Sequence, residues 1–395
     1  MSWLNSRPLR VAWISYFPLE WLPELPEPLR HLPRQHPATW QRVLLKEFHE
    51  QPALKLDVLV VRKQFPRHYT FERDGVAFHC LKAPGGWRRP SFFWVDTFLI
   101  RRCLKTINPD LVHAWGTEDG AGMVASRLRY PYLVTVQGLL QWYAQETTPP
   151  FFDKVATHLE RLALSRARTA TAESNFAVAF LRRHFPRLNV RHVDVVPDER
   201  FHLVQRQPRS GPVHFLFLGN LGHRKGGDVF LRSLQQLDLE WKATVVGATD
   251  EKLEQSLRSE IPGPWWSRVE FKRQLAPEQV AGELARATIL VCPTRADTGP
   301  MAVKEAAVAG VPVVGSDVGG IPDYVTPDGN GLLFPSGDVA ACADAMRKAA
   351  GHPMFGRGAV DEAVLARVRE QLAPRRMAGG FLEAYQAVVA RNSSV

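Results

Sequence analysis

Residues 287–314 carry the pattern of a strand, a loop, a helix and a second strand, and this pattern restricts the fold more than any other. Residues 287–293 form a short apolar run rich in β-formers, typical of a buried parallel strand. Residues 302–309 are strong helix formers, Gly310 is placed to end that helix, and residues 311–314 are again apolar. A helix between two such strands predicts a right-handed crossover in a parallel sheet.

The loop of this crossover has the composition of an anion-binding turn. Gly299 permits a tight turn, and Pro300 suits the first position of a helix. We expect the amide N–H groups around Gly299, Met301 and Ala302 to face outward at the carboxyl end of the strand. Together with the positive end of the helix dipole, these groups favour an anion such as a diphosphate.

Two acids, Asp297 and Glu305, stand eight residues apart on either side of that turn. Glu305 lies about one and a half turns into the predicted helix, where a carboxylate can accept two hydrogen bonds from a ribose diol. Asp297 precedes the helix and can hold hydroxyl groups of a sugar. An ordinary strand–helix–strand unit with two solvated acids has the same spacing, so the spacing alone leaves both interpretations open.

Further motifs accompany this pair over roughly residues 195–340. They are Leu216-Phe-Leu-Gly219 with Lys225-Gly226, Gly310-Val-Pro-Val-Val, Gly319-Gly320-Ile-Pro-Asp323 and Gly329-Asn-Gly331-Leu-Leu-Phe. Together with Asp297-x7-Glu305, and in the same order, they resemble the motifs of the retaining glycosyltransferases of family 4. The resemblance implies the GT-B fold, an α/β architecture in which two Rossmann-like domains, each a doubly wound parallel sheet, face a central cleft.

The resemblance also implies a role for individual residues. Glu305 is expected to bind the donor ribose, Asp297 to contact the donor sugar and Lys225 to bind the diphosphate, while Gln137 stands near the reacting sugar. Asp297, Lys225 and Gln137 are therefore the expected catalytic residues, and no metal ligand is expected. The expected donor-binding residues are Glu305, Gly299, Pro300, Met301, Ala302, Arg224, Asn220, Gly219 and Arg273.

Several of these positions depart from the family pattern. Asp297 is one methylene shorter than the usual glutamate, and Asn220 stands where many members have an arginine. Gln137 takes the place of a histidine; its amide can donate a hydrogen bond but cannot titrate. Arg273 stands where a glycine is frequent, which leaves the base of the donor open.

The glycine-rich loop that usually follows the first strand in this family is missing. Residues 17–36 instead contain five prolines, too many for a continuous helix. We expect this loop either to line the cleft and help to choose the acceptor or to form a surface decoration.

The alternation of strand and helix patterns predicts two domains. The first covers residues 1–200 and the second, which carries the donor motifs, covers residues 201–373. Polar residues 198–211 form the expected linker, and the helix predicted at residues 374–395 crosses back to the first domain.

Some local predictions are open to direct comparison with the structure. We expect a helix over residues 120–129, a strand over residues 193–197 and a break of the last helix near Gly379 and Gly380. His113, in a predicted strand, fits either a cleft residue or a hydrogen-bonded histidine at a strand end, and the second interpretation is favoured.

The positive charge of the chain is concentrated in its first half. Residues 1–200 hold 28 Lys and Arg against 19 Asp and Glu, a net +9 of the total +10, and eight of the eleven tryptophans. A basic, Trp-rich half fits an anionic membrane surface, an acidic acceptor or simply a solvated basic face. No motif of a nucleic-acid-binding protein is present, so nucleic acid is not an expected partner.

The remaining composition bears on location. No apolar run approaches ~20 residues, and the first residues lack the apolar core of a signal peptide. The four cysteines lie far apart without metal-binding spacing, as in a reducing cytosol. We expect a cytoplasmic protein, and peripheral contact with the inner face of the membrane is one interpretation of its basic first half.

The sequence thus predicts a retaining, metal-independent hexosyltransferase. Its expected partners are a nucleoside diphosphate sugar as co-substrate, with no further cofactor, and the hydroxyl of a glycan, a lipid-linked molecule or a small-molecule acceptor. The resemblance implies a front-face mechanism in which the diphosphate assists deprotonation of the acceptor. The alternatives are a catalytically silent sugar-binding or scaffolding protein and a nucleotide-sugar epimerase. An NAD-dependent Rossmann enzyme is disfavoured, because no G-x-G-x-x-G follows either opening strand.

Overall fold

The computed structural model describes residues 7–34, 38–146, 151–207 and 211–392, which form two α/β units. One unit comprises Met1–Val195 together with Pro374–Val395, and the other comprises Val196–Ala373. Each unit contains one sheet in which parallel strands alternate along the chain with helices. The predicted pair of doubly wound sheets is therefore confirmed.

The first unit has an eight-stranded sheet. Its strand order is β3-β4-β2-β1-β5-β6-β7-β8, and only β3 is antiparallel to its neighbour. The strands are β1 (Leu9–Ile14), β2 (Leu54–Arg62), β3 (Tyr69–Arg73), β4 (Val76–Lys82), β5 (Leu111–Trp115), β6 (Tyr132–Val136), β7 (Thr169–Ala172) and β8 (Asn189–His192). The helices between them are α1 (Thr39–His49), α2 (Trp94–Ile107), α3 (Ala121–Ala125), α4 (Leu140–Glu146), α5 (Phe151–Arg166) and α6 (Asn175–His184).

The second unit has a six-stranded, all-parallel sheet. Its strand order is β11-β10-β9-β12-β13-β14. The elements follow in the order α7 (Glu199–His202), β9 (Val213–Leu218), α8 (Gly227–Gln235), β10 (Trp241–Val246), α9 (Glu251–Glu260), β11 (Val269–Lys272), α10 (Pro277–Arg286), β12 (Ile289–Cys292), α11 (Met301–Ala309), β13 (Val313–Ser316), β14 (Gly331–Phe334), α12 (Val339–Gly351) and α13 (Glu362–Gln371). The central strands β9, β12 and β13 are buried on both faces, as their apolar sequences predict.

The chain ends in α14 (Pro374–Asn392), which packs in the first unit. The expected break near Gly379 and Gly380 is wrong, because the helix runs through both glycines. A Cβ on Gly380 would lie 3.1 Å from a methyl group of Val193. The glycine thus brings α14 close to Val193, and this packing outweighs the low helix propensity of glycine.

Two other local predictions are also wrong. Residues 193–197 form a buried connection and no strand. Val193, Val195 and Val196 are buried, and within this segment Val193 adds one backbone hydrogen bond to the sheet, from its N–H to the carbonyl of Ala172 on β7 at 2.9 Å. The helix expected over residues 120–129 ends at Ala125. Residues 126–130 form turns, since Pro131 disfavours helical geometry just before it.

The predicted linker contains a helical turn and is partly anchored. Within residues 198–207, α7 is followed by Arg206, whose guanidinium donates hydrogen bonds to the carbonyl groups of Gly358 and Ala287. Burial lowers the pKa of Arg206 to about 10. Residues 208–210 of the predicted linker lie outside the described residues.

The proline-rich loop is fixed by a buried arginine. Arg62, at the end of β2, donates hydrogen bonds to Glu20 at 2.7 Å and to the carbonyl of Phe17 at 2.5 Å. Within residues 17–34 the loop forms two single 3-10 turns, Leu19–Trp21 and Glu27–Leu29, so the prediction of an irregular segment is confirmed there. His36, at the predicted end of the loop, lies outside the described residues.

Candidate functional site

The loops after β9 and β12 mark the place in the second unit where a ligand is expected. These two strands are neighbours at the centre of the sheet, and the strand order runs outward from them in opposite directions. In open parallel sheets such a reversal leaves a crevice at the carboxyl ends of the strands, where ligands bind. The two loops cover residues 219–226 and 293–300.

Backbone and side-chain hydrogen bonds join the two loops at Arg224. Its carbonyl accepts from the amide of Arg295 at 2.8 Å and from the hydroxyl of Thr294 at 3.0 Å. Its guanidinium in turn donates to the carbonyl of Ala296 at 2.8 Å. Arg224 is therefore directed into the second loop, and it positions the residues on either side of it.

Gly226 allows the first loop to pass directly over the second. It has a φ of 72°, and any Cβ at this position would collide with the carbonyl oxygen of Pro293. The motif Lys225-Gly226 thus has a physical basis, because the glycine is what brings the preceding lysine against the second loop.

The ammonium group of Lys225 forms an ion pair with the carboxylate of Asp297. Asp297 is only 7% exposed. Burial by itself would raise the pKa of this carboxyl group, but Lys225, with a smaller contribution from Arg224, holds the pKa of Asp297 below its usual range. The site therefore contains an ionised acid and a partly exposed cation in contact.

The start of α11 offers fewer amides than the sequence predicts. The N–H of Gly299 donates to Asp297 Oδ1 at 3.3 Å, and Pro300 has no N–H. The N–H of Val303 donates to the carbonyl of Pro300, so only the amides of Met301 and Ala302 are left in this turn to bind an anion. Their amides are in the first turn, where a helix supplies no acceptor, and the described residues show no other acceptor for them.

The double glycine after β13 also contributes to this site. Gly320 donates its N–H to the carbonyl of Asp297 at 3.1 Å, and Gly319 has a φ of 59°. The motif therefore fixes the backbone of the second loop. Asn330, between two glycines, has a structural role: its side chain bonds the backbone of Thr326 and Tyr324.

Glu305 lies half-buried on α11. Burial, together with the negative charge of Asp198, raises the pKa of its carboxyl group to about 8. Asp198 caps α7, where it accepts from the amide and the side chain of Arg200. In this structure Glu305 is thus mostly a neutral acid at pH 7, whereas the sequence suggested a carboxylate.

The other expected donor-binding residues lie around these loops. Gly219 has a φ of 135°, and its N–H donates to the carbonyl of Val246 at 2.8 Å. Asn220 is exposed. Arg273 follows the edge strand β11, is exposed, and pairs with Glu254 at 3.6 Å. The structure therefore brings Lys225, Arg224 and Gly299 to Asp297, but directs Arg273 to Glu254.

In the first unit, Gln137 follows β6 and lies beside a glutamate that the motifs did not reveal. A Cβ on Gly116, directly after β5, would lie 2.8 Å from Glu118 Oε2 and 3.5 Å from Gln137 Oε1. A Cβ on Gly138 would collide with Glu118 Oε1. The Glu118 carboxyl group therefore lies across both glycines at the carboxyl ends of β5 and β6.

Glu118 is one of two neighbouring acids. Burial, and to a smaller extent the charge of Glu160, raises the pKa of Glu118 to about 7. Glu160 accepts hydrogen bonds from the hydroxyl of Thr117 at 2.5 Å and from the amide of Gln141 at 3.0 Å. The available sequence signal was the position of Glu118 directly after the predicted strand that carries His113, five residues beyond that histidine.

His113 is a buried structural histidine, as favoured from the sequence. Its Nδ1 lies 2.8 Å from the hydroxyl of Tyr385, on α14, and its Nε2 lies 2.6 Å from that of Thr135. Burial holds the pKa of His113 well below its usual value, so the ring stays neutral.

Two family models match the chain, one over each half. A model described as "Glycosyltransferase Family 4" matches residues 41–198, and one described as "Glycosyl transferases group 1" matches residues 212–352. Apart from the segment between them, the two matches cover residues 41–352.

Among curated proteins, the chain is similar to sugar transferases. It is 28% identical over 258 residues to a "GDP-mannose-dependent alpha-mannosyltransferase" of Mycobacterium tuberculosis, which covers 62% of this chain and 65% of the relative. It is 28% identical over 319 residues to a "2-deoxystreptamine N-acetyl-D-glucosaminyltransferase" of Streptomyces fradiae, which covers 70% of this chain and 74% of the relative. The chain thus spans just under two thirds of the length of the first relative.

Solved structures share the fold over nearly the whole chain. A sucrose-phosphate synthase from Thermosynechococcus elongatus has a TM-score of 0.81 at 18% identity, and covers 97% of this chain and 100% of its own. Anabaena HepE, solved in complex with UDP and glucose, has a TM-score of 0.70 at 13% identity, with 96% and 99% covered. These likenesses confirm the expected fold.

Proposed function

We propose that this chain, which belongs to the family 4 glycosyltransferases and has the GT-B fold, transfers a sugar from a nucleoside diphosphate sugar to an acceptor hydroxyl with retention of configuration. The observation that carries this proposal is the contact between Lys225 and Asp297 at the start of α11. A partly exposed cation, two amides and a helix dipole converge there at the reversal of the strand order.

The site suits the departure of a diphosphate. Breaking the anomeric bond adds negative charge to the diphosphate, and a site without metal must stabilise it with cations and amides. In our proposal Lys225 supplies the ammonium, Arg224 adds positive charge nearby, and Met301 and Ala302 supply amides. Asp297, once its lysine turns to the diphosphate, accepts a hydrogen bond from a hydroxyl of the donor sugar.

Glu305 is proposed to bind the ribose. Its carboxyl group lies on the same helix as the two amides, half-buried and next to Asp198. A ribose diol donates two hydrogen bonds to a carboxylate, which favours the ionised form of Glu305 in the complex. Donor binding is thus expected to lower the pKa of Glu305.

The relatives and structural neighbours support a nucleotide-sugar donor. The mannosyltransferase relative is named for its dependence on GDP-mannose, and HepE was solved with UDP. We propose a donor of this class with no further cofactor and no metal, and a glycan, lipid-linked or small-molecule acceptor.

We also propose that an aromatic and basic surface of the first unit contacts an anionic membrane. The exposed side chains of Trp87, Phe92, Trp94 and Phe98 lie before and within α2, and are 64%, 48%, 55% and 66% exposed. Arg101 and Arg102 follow on the same helix and are also exposed. Aromatic rings at the headgroup level and arginines facing anionic lipid are a usual combination at membrane interfaces. No helix among the described residues is long and apolar enough to span a bilayer.

Turnover of a panel of UDP- and GDP-linked sugars tests the main proposal. The purified protein is incubated with each donor, with and without glycan and lipid extracts as acceptors, while release of nucleoside diphosphate and thermal stability are followed. We expect one donor to stabilise the protein and to be consumed when acceptor is present, and Lys225→Met to lose both effects. Stabilisation without turnover would favour a catalytically silent sugar-binding protein. Gln137 and Asn220, which depart from the family pattern, support that alternative. Conversion of the donor sugar without acceptor would favour an epimerase.

A further inference from the structure

A cavity of about 360 Å³ lies at the amino ends of β6 and β7, at the edge of the first sheet opposite to Gln137. Its volume falls at the lower end of the range for small-molecule pockets. The side chains that matter for its chemistry are those of Arg129, Arg166, Arg168, Arg391, Tyr130 and Tyr132. We call it the arginine cavity.

The four arginines come from four separate parts of the chain. Arg129 lies between α3 and β6, Arg166 ends α5, Arg168 precedes β7 and Arg391 lies in the last turn of α14. All four are exposed. Residues that are 262 positions apart in sequence, Arg129 and Arg391, therefore bring like charges to one concavity.

None of these arginines is neutralised within the part of the chain that the structure describes. No described carboxylate lies within 4.0 Å of any of their guanidinium groups, and no described acceptor forms a hydrogen bond with them. Arg191, on β8 of the same unit, shows the usual alternative, because it pairs with Glu383 of α14 at 3.5 Å. The arginine cavity is thus a concentration of unpaired positive charge, and its potential favours the binding of an anion.

The electrostatics of neighbouring groups reflect this charge. Burial, with an added contribution from Arg166, lowers the pKa of Arg127. Burial raises the pKa of Tyr132 to about 12, although Arg166 and Arg168 oppose this rise. Tyr132 therefore stays a neutral phenol, while Tyr130 donates its hydroxyl to the carbonyl of Leu104 at 3.1 Å. Tyr130 and Tyr132 line the cavity as uncharged side chains, and its positive charge comes from the four arginines.

We propose that the arginine cavity binds a phosphate-bearing anion. The residues that contact the anion are Arg129, Arg166, Arg168 and Arg391. Guanidinium groups bind phosphate oxygens through paired N–H donors, and four of them around one concavity suit a diphosphate or two phosphate groups. The site is separate from the loops around Lys225, which belong to the second unit. The anion comes either from a soluble phosphate compound or from the headgroup of an anionic lipid, and these sources share the same chemistry.

Binding of inorganic pyrophosphate tests this proposal in the full-length protein. The Lys225→Met variant serves as the background, so that the proposed donor site does not contribute. We expect calorimetry to detect one remaining site, and the added pair Arg166→Gln and Arg168→Gln to weaken it at least about tenfold. A second pair, Arg129→Gln with Arg391→Gln, is expected to have the same effect. The matched control is the pair Arg183→Gln and Arg187→Gln, which removes two exposed arginines elsewhere in the same unit.

A second arm identifies the source of the anion. The same variants are sedimented with vesicles of phosphatidylglycerol and phosphatidylcholine. Loss of pyrophosphate binding in the cavity variants alone supports a soluble ligand. If the background protein binds no pyrophosphate, and the cavity variants lose vesicle binding while the control variant keeps it, the anion is a lipid headgroup. Equal behaviour of cavity and control variants in both arms, or no binding in either, overturns the proposal. Neither result depends on donor turnover, so the transferase proposal stands or falls separately.

Discussion

Lys225 and Asp297 meet although their loops leave different strands, β9 and β12, and lie 72 positions apart. Lys225 keeps the pKa of the buried Asp297 carboxyl group low, and the Asp297 carboxylate neutralises the charge of Lys225. The diphosphate that we propose to bind at the start of α11 would compete with Asp297 for the same ammonium group. The pair is therefore well suited to exchange an internal partner for a ligand.

Lys225→Met is expected to weaken donor binding by about 10- to 100-fold, because it removes one charge-assisted contact to the diphosphate. Calorimetric titration of the donor identified in the panel measures the change. Lys252→Met removes an exposed lysine from α9 in the same unit and serves as the control. Donor affinity that falls equally in both variants would argue against the diphosphate role of Lys225.

Donor affinity is expected to rise with pH up to about 8, because Glu305 must ionise to accept two hydroxyl donors. With a pKa of about 8 in the free protein, the carboxylate form falls about tenfold for each pH unit below that value. Affinity therefore falls with decreasing pH, by at most that factor per unit, until the pKa of the complex is reached.

The matched variant for this prediction is Glu305→Gln, which cannot ionise. Its donor affinity is expected to be low and nearly constant between pH 6 and pH 8 when titrated in the same buffers. Parallel pH profiles of the two proteins would assign the pH dependence to another group.

Glu118 is expected to make the protein less stable as pH rises from about 5 to about 7. Its pKa is about 7 in the folded protein and about 4.3 in an unfolded chain. Between these values the folded state holds the extra proton, so the free energy of unfolding falls as pH increases, by about 1 kcal/mol per pH unit.

Glu118→Gln removes this loss of stability, because an amide does not ionise. Its oxygen can still accept a hydrogen bond from the Thr117 N–H, which Glu118 Oε2 accepts at 2.9 Å. Thermal midpoints measured at half-unit pH steps should converge at pH 5 and separate toward pH 7, with the variant higher. Asp119→Asn, at the exposed neighbouring position, is the control. A separation equal to that of the control would contradict the assigned pKa.

The sequence predicted best what local signals determine. Asp74 and Gly75, a dipeptide typical of hairpin turns, form the turn that joins β3 and β4, and α11 ends at Gly310, as predicted, with a φ of 73°. The motifs also gave Lys225 and Asp297 as site residues, but not their contact. That contact depends on hydrogen bonds of Arg224 between two distant loops, which no local pattern encodes.

Tertiary packing explains what the sequence missed. Gly380 looks like a helix breaker, yet it sits in α14 because Val193 packs against it. Glu118 has no motif of its own; its raised pKa arises only when Gly116 and Gly138 leave room for its carboxyl group beside Glu160. Such environments become visible only once distant segments are placed together.

The aromatic and basic surface around α2 is expected to bind anionic vesicles in a salt-sensitive manner. Arg101→Gln with Arg102→Gln should lower partitioning onto phosphatidylglycerol vesicles at low salt by at least about tenfold, since each arginine near such a surface contributes roughly 1 kcal/mol. Trp87→Ser with Phe98→Ser should lower it at all salt concentrations, because the loss is apolar. Vesicle sedimentation measures both, with Arg183→Gln and Arg187→Gln as the charge-matched control. Partitioning that matches the control in both pairs would rule out this surface.

Removal of divalent cations is expected to leave donor turnover within about twofold, because Lys225, Arg224 and the amides of Met301 and Ala302 supply the positive charge that the departing diphosphate requires. Turnover is measured after exhaustive dialysis against EDTA, and again after Mg²⁺ or Mn²⁺ is restored. The same turnover measurements on the Lys225→Met variant give a sharper comparison. Because the ammonium group of Lys225 is proposed to take the place of a metal ion, added metal is expected to rescue part of the activity of the variant, while wild type gains little. Strict dependence of the wild-type enzyme on added metal would contradict the metal-independent mechanism and leave the ion pair of Lys225 and Asp297 with a structural role.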